Sequence, residues 1–241
     1  MTNKPRRFVI FSAARSGTSL LSSTLNTHPN IFTHGEIYHP RPKWHLRGTF
    51  ADWSDEQTIA ARADKIGYLK MVFDQAGADV VGFKMWHSQE PQICDSLLAI
   101  PAVSNIIYER ENRLAQYASG ALAKQSGIWN RSAQNAPYKG RDSEPVEFNA
   151  RRFLSYVRRQ EKTFAHYRKY AKGPVLDMTY ADLTTRGFHP VLRFLGVPEV
   201  NLEPQKQKLH SSNIIARFQP SAHKEVHAVL KDLGHPEWVE E

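Results

Sequence analysis

Residues 8–25, FVIFSAARSGTSLLSSTL in one-letter code, decide the fold of this chain. Phe8 to Phe11 form an unbroken apolar run, which reads as a short buried strand. Ser12 to Ser19 are small or polar, with one arginine and one glycine among them. From Gly17 onward the apolar residues Leu20, Leu21 and Leu25 fall at helical spacing. A strand that turns through small residues into a helix aims free backbone N–H groups and a positive helix end at one point. An anion suits that point, a phosphate or a sulfate. Thr18 and Ser19 add hydroxyl donors, and Arg15 adds a charged planar fork that matches a tetrahedral oxyanion. The loop is not a Walker A motif, because it lacks the first glycine and the Gly-Lys-Ser/Thr ending. Its single glycine also excludes G-x-G-x-x-G.

Outward from this unit, strand and helix patterns alternate, which predicts a three-layer α/β/α fold around a mainly parallel sheet. Ile31-Phe32 reads as a short strand, followed by a turn at Gly35-Glu36. Ser54 to Gln57 reads as a helix start that continues through Ile59 to Ile66. Val80 to Trp86 is a second buried strand. Its Lys84 must reach solvent, a carboxylate or an anion. His87 and Gln89 follow at the C-terminal end of that strand, the edge where open α/β sheets place ligands. A helix is expected over Pro91–Ile100, and a third strand over Asn105–Arg110. The next helix carries Leu114, Tyr117, Ala118 and Leu122 on one face, with Ser119 two turns in. Arg110 and Ser119 form a second grip for an anion. A nucleotide phosphorylated at both its 5' and 3' ends needs two such grips, whereas a single phosphate needs one.

Further on, a helix over residues 149–172 turns Phe153, Val157, Phe164 and Tyr167 inward and leaves its arginines most simply as a solvated face, with anion binding the alternative. A strand is expected over residues 174–183, and a last helix over Ser221–Leu233. The 241 residues suffice for one domain with a full core. Residues 39–79 and 129–148 are expected to shape an acceptor site. Trp44 and Trp53 could each stack on a sugar or cover a core, the core being the simpler role for at least one, and Trp44 is the substrate-binding candidate. The net charge of +8 suits an anionic ligand. No helix-turn-helix, zinc-finger or RRM pattern points to nucleic acid. The single cysteine, Cys94, excludes an intramolecular disulfide and reads as a core thiol. No apolar run is long enough to span a membrane, and the N-terminus lacks a signal-peptide core, so a cytoplasmic protein is expected.

Arg15-Ser16-Gly17-Thr18-Ser19 after a strand resembles the 5'-phosphosulfate loop of the sulfotransferases that use 3'-phosphoadenosine-5'-phosphosulfate (PAPS). Ser19 stands where that loop usually has a second threonine. Arg110 and Ser119 resemble the family's strand-end arginine and helix serine, which hold the 3'-phosphate. The spacing is one residue longer here, so either the turn absorbs it or Arg113 shares the role. His34-Gly35-Glu36 resembles a segment of the bacterial carbohydrate and nodulation-type sulfotransferases, and implies Glu36 as the base. On the residues alone Glu36 is equally a turn carboxylate, and His34, His39 and His87 are rival bases. Gly82-x-Lys84, Tyr180-Ala-Asp-Leu183 and the loop Phe194–Pro198 add looser likenesses, and Lys206 and Ser211 match a basic and serine cluster that closes on the nucleotide. The resemblance implies a P-loop-NTPase-like fold and sulfuryl transfer from PAPS, without a metal, to a hydroxyl of a carbohydrate or other small acceptor. Arg15 and Lys84 would stabilise charge, and His87 and Trp44 would meet the acceptor. A P-loop-like small-molecule kinase and a non-catalytic nucleotide or polyanion binder remain the alternatives.

Overall fold

A computed structural model describes residues 4–41, 45–74, 77–129, 144–206 and 211–241. The strands are β1 (Arg6–Phe11), β2 (Ile31–Glu36), β3 (Val80–Met85), β4 (Val103–Glu109) and β5 (Val175–Thr179). They form one sheet in the order β2-β3-β1-β4-β5, and every pairing is parallel. The helices are α1 (Thr18–Leu25), α2 (Asp55–Ala61), α3 (Lys65–Phe73), α4 (Pro91–Leu98), α5 (Arg113–Ser126), α6 (Ala150–Tyr170), α7 (Tyr180–Arg186), α8 (His189–Leu195) and α9 (His223–Asp232).

The apolar run of β1 is buried on both faces, as parallel strands are. Val9 and Phe11 join Val81 and Phe83 in a core with Tyr68 and Val72 of α3, Cys94 and Leu97 of α4, and Phe164 and Tyr167 of α6. Phe8 and Ile10 point the other way, into a core with Leu21 and Leu25 of α1 and Val191, Leu192 and Leu195 of α8. The result is the expected three layers. A third apolar cluster joins Leu114 and Ala118 of α5, Phe153 and Val157 of α6, and Val226 and Leu230 of α9. No helix among the described residues is long and apolar enough to cross a membrane.

Three local readings are corrected. The stretch after Ser54 forms two helices, because Asp64 caps a second one by accepting from the Gly67 N–H at 2.9 Å. Gly35-Glu36 is the end of β2, where a register irregularity between Thr33 and Glu36 sets Glu36 opposite Lys84. Tyr180 to Leu183 is helical, because Thr179 and Asp182 form a reciprocal capping box that ends β5 and starts α7. Trp44 lies outside the described residues, as do residues 130–143 of the long loop. Trp53 packs against the core.

Candidate functional site

The connections from β1 and β4 leave the sheet in opposite directions, and ligand crevices form at the C-terminal ends of such strands. A cavity of about 1040 Å³ opens there, lined by the loop after β1 and by Glu36, Lys84, Trp86, Arg110 and Ser119. Arg41, Arg47, Lys206 and Arg217 also face it, and among the described residues Glu36 is the acid in its lining. Part of the chain's positive charge is therefore gathered around this cavity.

Backbone geometry shapes the loop. Arg15 and Gly17 both adopt positive φ, 64° and 86°, with Gly17 acting as the N-cap of α1. A Cβ on Gly17 would stand 2.7 Å from the Tyr180 ring, so this position needs a glycine for conformation and for space. Ser16 is buried, and its hydroxyl accepts from Gln116 Nε2 at 2.9 Å. The same amide nitrogen donates to the Ala14 carbonyl at 2.7 Å, pinning the loop to α5.

The two expected anion grips meet. Arg15 Nε donates to Ser119 Oγ at 3.0 Å, and Arg110 Nη1 donates to the Arg15 carbonyl at 3.1 Å. The guanidinium of Arg110 also lies 5.1 Å from the centre of the Tyr180 ring and pairs with the Glu241 carboxylate. Burial and the neighbouring Arg110 charge lower the pKa of Arg15. Burial first, and Arg110 second, brings Arg217 down to about 10. These cations are crowded and partly dehydrated, and a polyanion between them would relieve both penalties. Arg113 is turned away from the cavity, buried against Glu109 and donating to the Arg110 carbonyl at 2.6 Å.

On the β2–β3 side, Glu36 and Lys84 form a buried ion pair, N to O 3.3 Å, with side chains only 8% and 5% exposed. Lys84 Nζ also donates to Ser19 Oγ at 3.2 Å, so one ammonium joins the loop to the carboxylate. Gln89 Nε2 donates to the other carboxylate oxygen at 3.0 Å. His45 Nδ1 accepts from the Glu36 N–H at 3.2 Å. A Cβ on Gly35 would fall 2.8 Å from that same nitrogen, so glycine permits this approach. Burial, with His39 and Lys84 adding to it, brings His45 down to about 3 and keeps it neutral. Glu36, His39 and His45 hold potential metal-ligand atoms within 4.8 Å of one another. However, His45 Nδ1 is already engaged, and Lys84 holds the carboxylate.

Of the rival bases, only His39 lines this cavity. His34 is fully buried, with its ring 4.9 Å from that of Phe32, and burial brings it down to about 4. His87 lies beside a second cleft, against Asp95 and His166, rather than in the main cavity. Lys206 lines the cavity, while Ser211 accepts from Arg217 Nη2 through its carbonyl at 2.7 Å. Sequence reasoning missed His45, Arg47, Arg217 and Glu241, which come from segments without strong periodicity. Gln89 was noticed only as a strand-end residue.

No family model matches the chain. Nodulation protein H of Rhizobium tropici is 25% identical over 206 residues, covering 80% of this chain and 77% of that protein. A sulfotransferase from Alicyclobacillus acidocaldarius superposes with a TM-score of 0.52 at 16% identity, covering 98% of this chain and 99% of its own. The sulfotransferase domain from the curacin biosynthetic pathway gives a TM-score of 0.54 at 14% identity, covering 97% and 98%. The chain therefore has the fold of these sulfotransferases.

Proposed function

We propose that this protein is a sulfotransferase that moves a sulfuryl group from PAPS to a hydroxyl of a carbohydrate or similar small acceptor. The observation that carries the reading is the interlock of Arg15, Ser119 and Arg110 at one end of one cavity, directly after a strand–loop–helix anion site. A nucleotide with phosphates at both ends fits such a pair of grips. The likeness to nodulation protein H over most of the chain, and the shared fold, point the same way.

The chemistry resembles phosphoryl transfer, with in-line displacement and little covalent work for the protein. The acceptor oxygen forms the new S–O bond as the bond from sulfur to the 5'-phosphate oxygen breaks. Charge gathers on that bridging oxygen, where Arg15, Ser16 and the loop N–H groups supply donors. Glu36 takes the acceptor proton. Lys84 lies between Ser19 and Glu36, so it balances the carboxylate before transfer and faces the transferred group during it. His39, Arg41, His45 and Arg47 come from the segment expected to shape the acceptor side, and Trp129 opens the other such segment. A cytoplasmic setting belongs to the same reading.

Calorimetric titration with 3',5'-bisphosphoadenosine (PAP), 5'-AMP and ATP tests the reading. A charged hydrogen-bond pair contributes about 1.5–3 kcal/mol, so PAP is expected to bind roughly tenfold or more tighter than 5'-AMP. Equal weak binding of all three would reduce the protein to a general anion binder. Tight ATP binding that requires magnesium would make it a kinase.

A further inference from the structure

A second cleft of about 460 Å³ lies beside the main cavity, between His87 and the outer face of α6. Trp86 lines the main cavity and His87 lines the second. The two clefts are thus separated by adjacent residues, about 3.8 Å apart along the backbone. His87 is held in place by its N–H, which donates to the Tyr167 hydroxyl at 2.8 Å. That hydroxyl in turn donates to the Ser12 carbonyl at 3.1 Å.

Arg158, Arg159 and Lys162 line the cleft, and none of them pairs with a carboxylate among the described residues. This differs from Arg168 on the same helix, which is neutralised by Asp177 and Glu109. Asp95, beside the cleft, is engaged by two imidazoles: His166 Nε2 at 2.7 Å and His87 Nε2 at 3.3 Å from the same oxygen. Ser155 and Thr163 also line the cleft.

We infer that this cleft is an anion subsite, which takes a phosphate, sulfate or carboxylate group carried by the acceptor. The volume suits a monosaccharide bearing such a group. The inference deepens the sulfotransferase reading by restricting the acceptor to anionic molecules long enough to reach from Glu36 past Trp86. His87, Asp95 and His166 also bring three potential metal ligands within 4.8 Å of one another. A divalent cation there would face the positive side chains of Arg158, Arg159 and Lys162 across the same cleft, which opposes it. An anion is favoured by the same charges.

The test keeps the donor site filled with saturating PAP and titrates N-acetylglucosamine 6-sulfate, with N-acetylglucosamine as the uncharged counterpart, by NMR and calorimetry. The sulfated sugar is expected to bind at least roughly tenfold tighter, to shift resonances of α6, and to weaken with added salt. Arg158→Ala with Lys162→Ala is expected to lower that affinity about tenfold and leave PAP affinity unchanged. Arg151→Ala with Lys169→Ala, on the same helix, is the control and is expected to change neither. Equal affinity for the two sugars, no shift of α6 at saturating sugar, or an unaffected double variant would overturn the subsite. One-equivalent binding of Zn²⁺ that His166→Ala abolishes would overturn it in favour of a metal. Failure of PAP to bind would instead reject the donor assignment, and the sugar titration can then be read without it.

Discussion

Lys84→Met and Glu36→Gln, alone and combined, probe the buried pair that joins the loop after β1 to the proposed base. Both side chains are almost fully enclosed. Removing one partner leaves a buried charge uncompensated, which costs about 3–5 kcal/mol. For a chain of this size each kcal/mol lowers Tm by about 2–4 °C, so each single variant is expected to lose roughly 6 °C or more. The double variant leaves no orphaned charge, and the amide introduced by Glu36→Gln still offers an oxygen to Gln89. It is expected to be less destabilised than the sum of the singles by about 2 kcal/mol or more. Denaturant unfolding of the four proteins measures this without any acceptor.

The pH dependence has a definite sign. Burial is the main cause that lowers the pKa of Lys84, and Glu36 opposes it. Between that lowered value and about 10.4 the unfolded chain binds the extra proton, so stability rises with pH across this window. Glu36→Gln removes the opposing carboxylate and extends the window downward, so this variant is expected to recover stability as pH rises. Additivity of the two singles within about 0.5 kcal/mol, or a Glu36→Gln profile parallel to the parent, would refute the coupling.

Gly17→Ala is expected to cost about 1–2 kcal/mol, since it places a side chain at φ 86° and a Cβ 2.7 Å from Tyr180. It should also weaken PAP binding by displacing the ring under Arg110, and unchanged denaturation and calorimetry would contradict this. His34 has a folded pKa near 4, so the unfolded chain binds the extra proton between about 4 and 6.5, and stability falls as pH drops through that range. His34→Gln keeps an acceptor for the Arg47 N–H but cannot titrate. It should remove at most about 3 kcal/mol of that acid sensitivity, seen as a flatter unfolding profile over those pH values.

Much of the fold was legible because its cues are local. The β1–loop–α1 unit follows from one apolar run, one glycine and helical spacing within residues 8–25. The inward face of α6, with Phe153, Val157, Phe164 and Tyr167, follows from period alone. Even the misread stretch at Tyr180 had a local signal, since Thr179 and Asp182 stand at capping-box spacing.

The site divides in the same way. The expectation of an anion loop at Arg15 to Ser19 needs only neighbouring residues, which on one turn must share its geometry. Tertiary structure alone made Glu36 and Lys84 partners, 48 residues apart, since their contact depends on β2 lying beside β3 and on the register at their ends. The same dependence turned Arg113 away, brought Arg110 onto the Arg15 carbonyl, and moved His87 into a separate cleft. Local periodicity determines which side of a strand or helix a residue occupies. Which side chains then meet is set by strand order and by packing across the sheet, where the energy comes from contacts between distant segments.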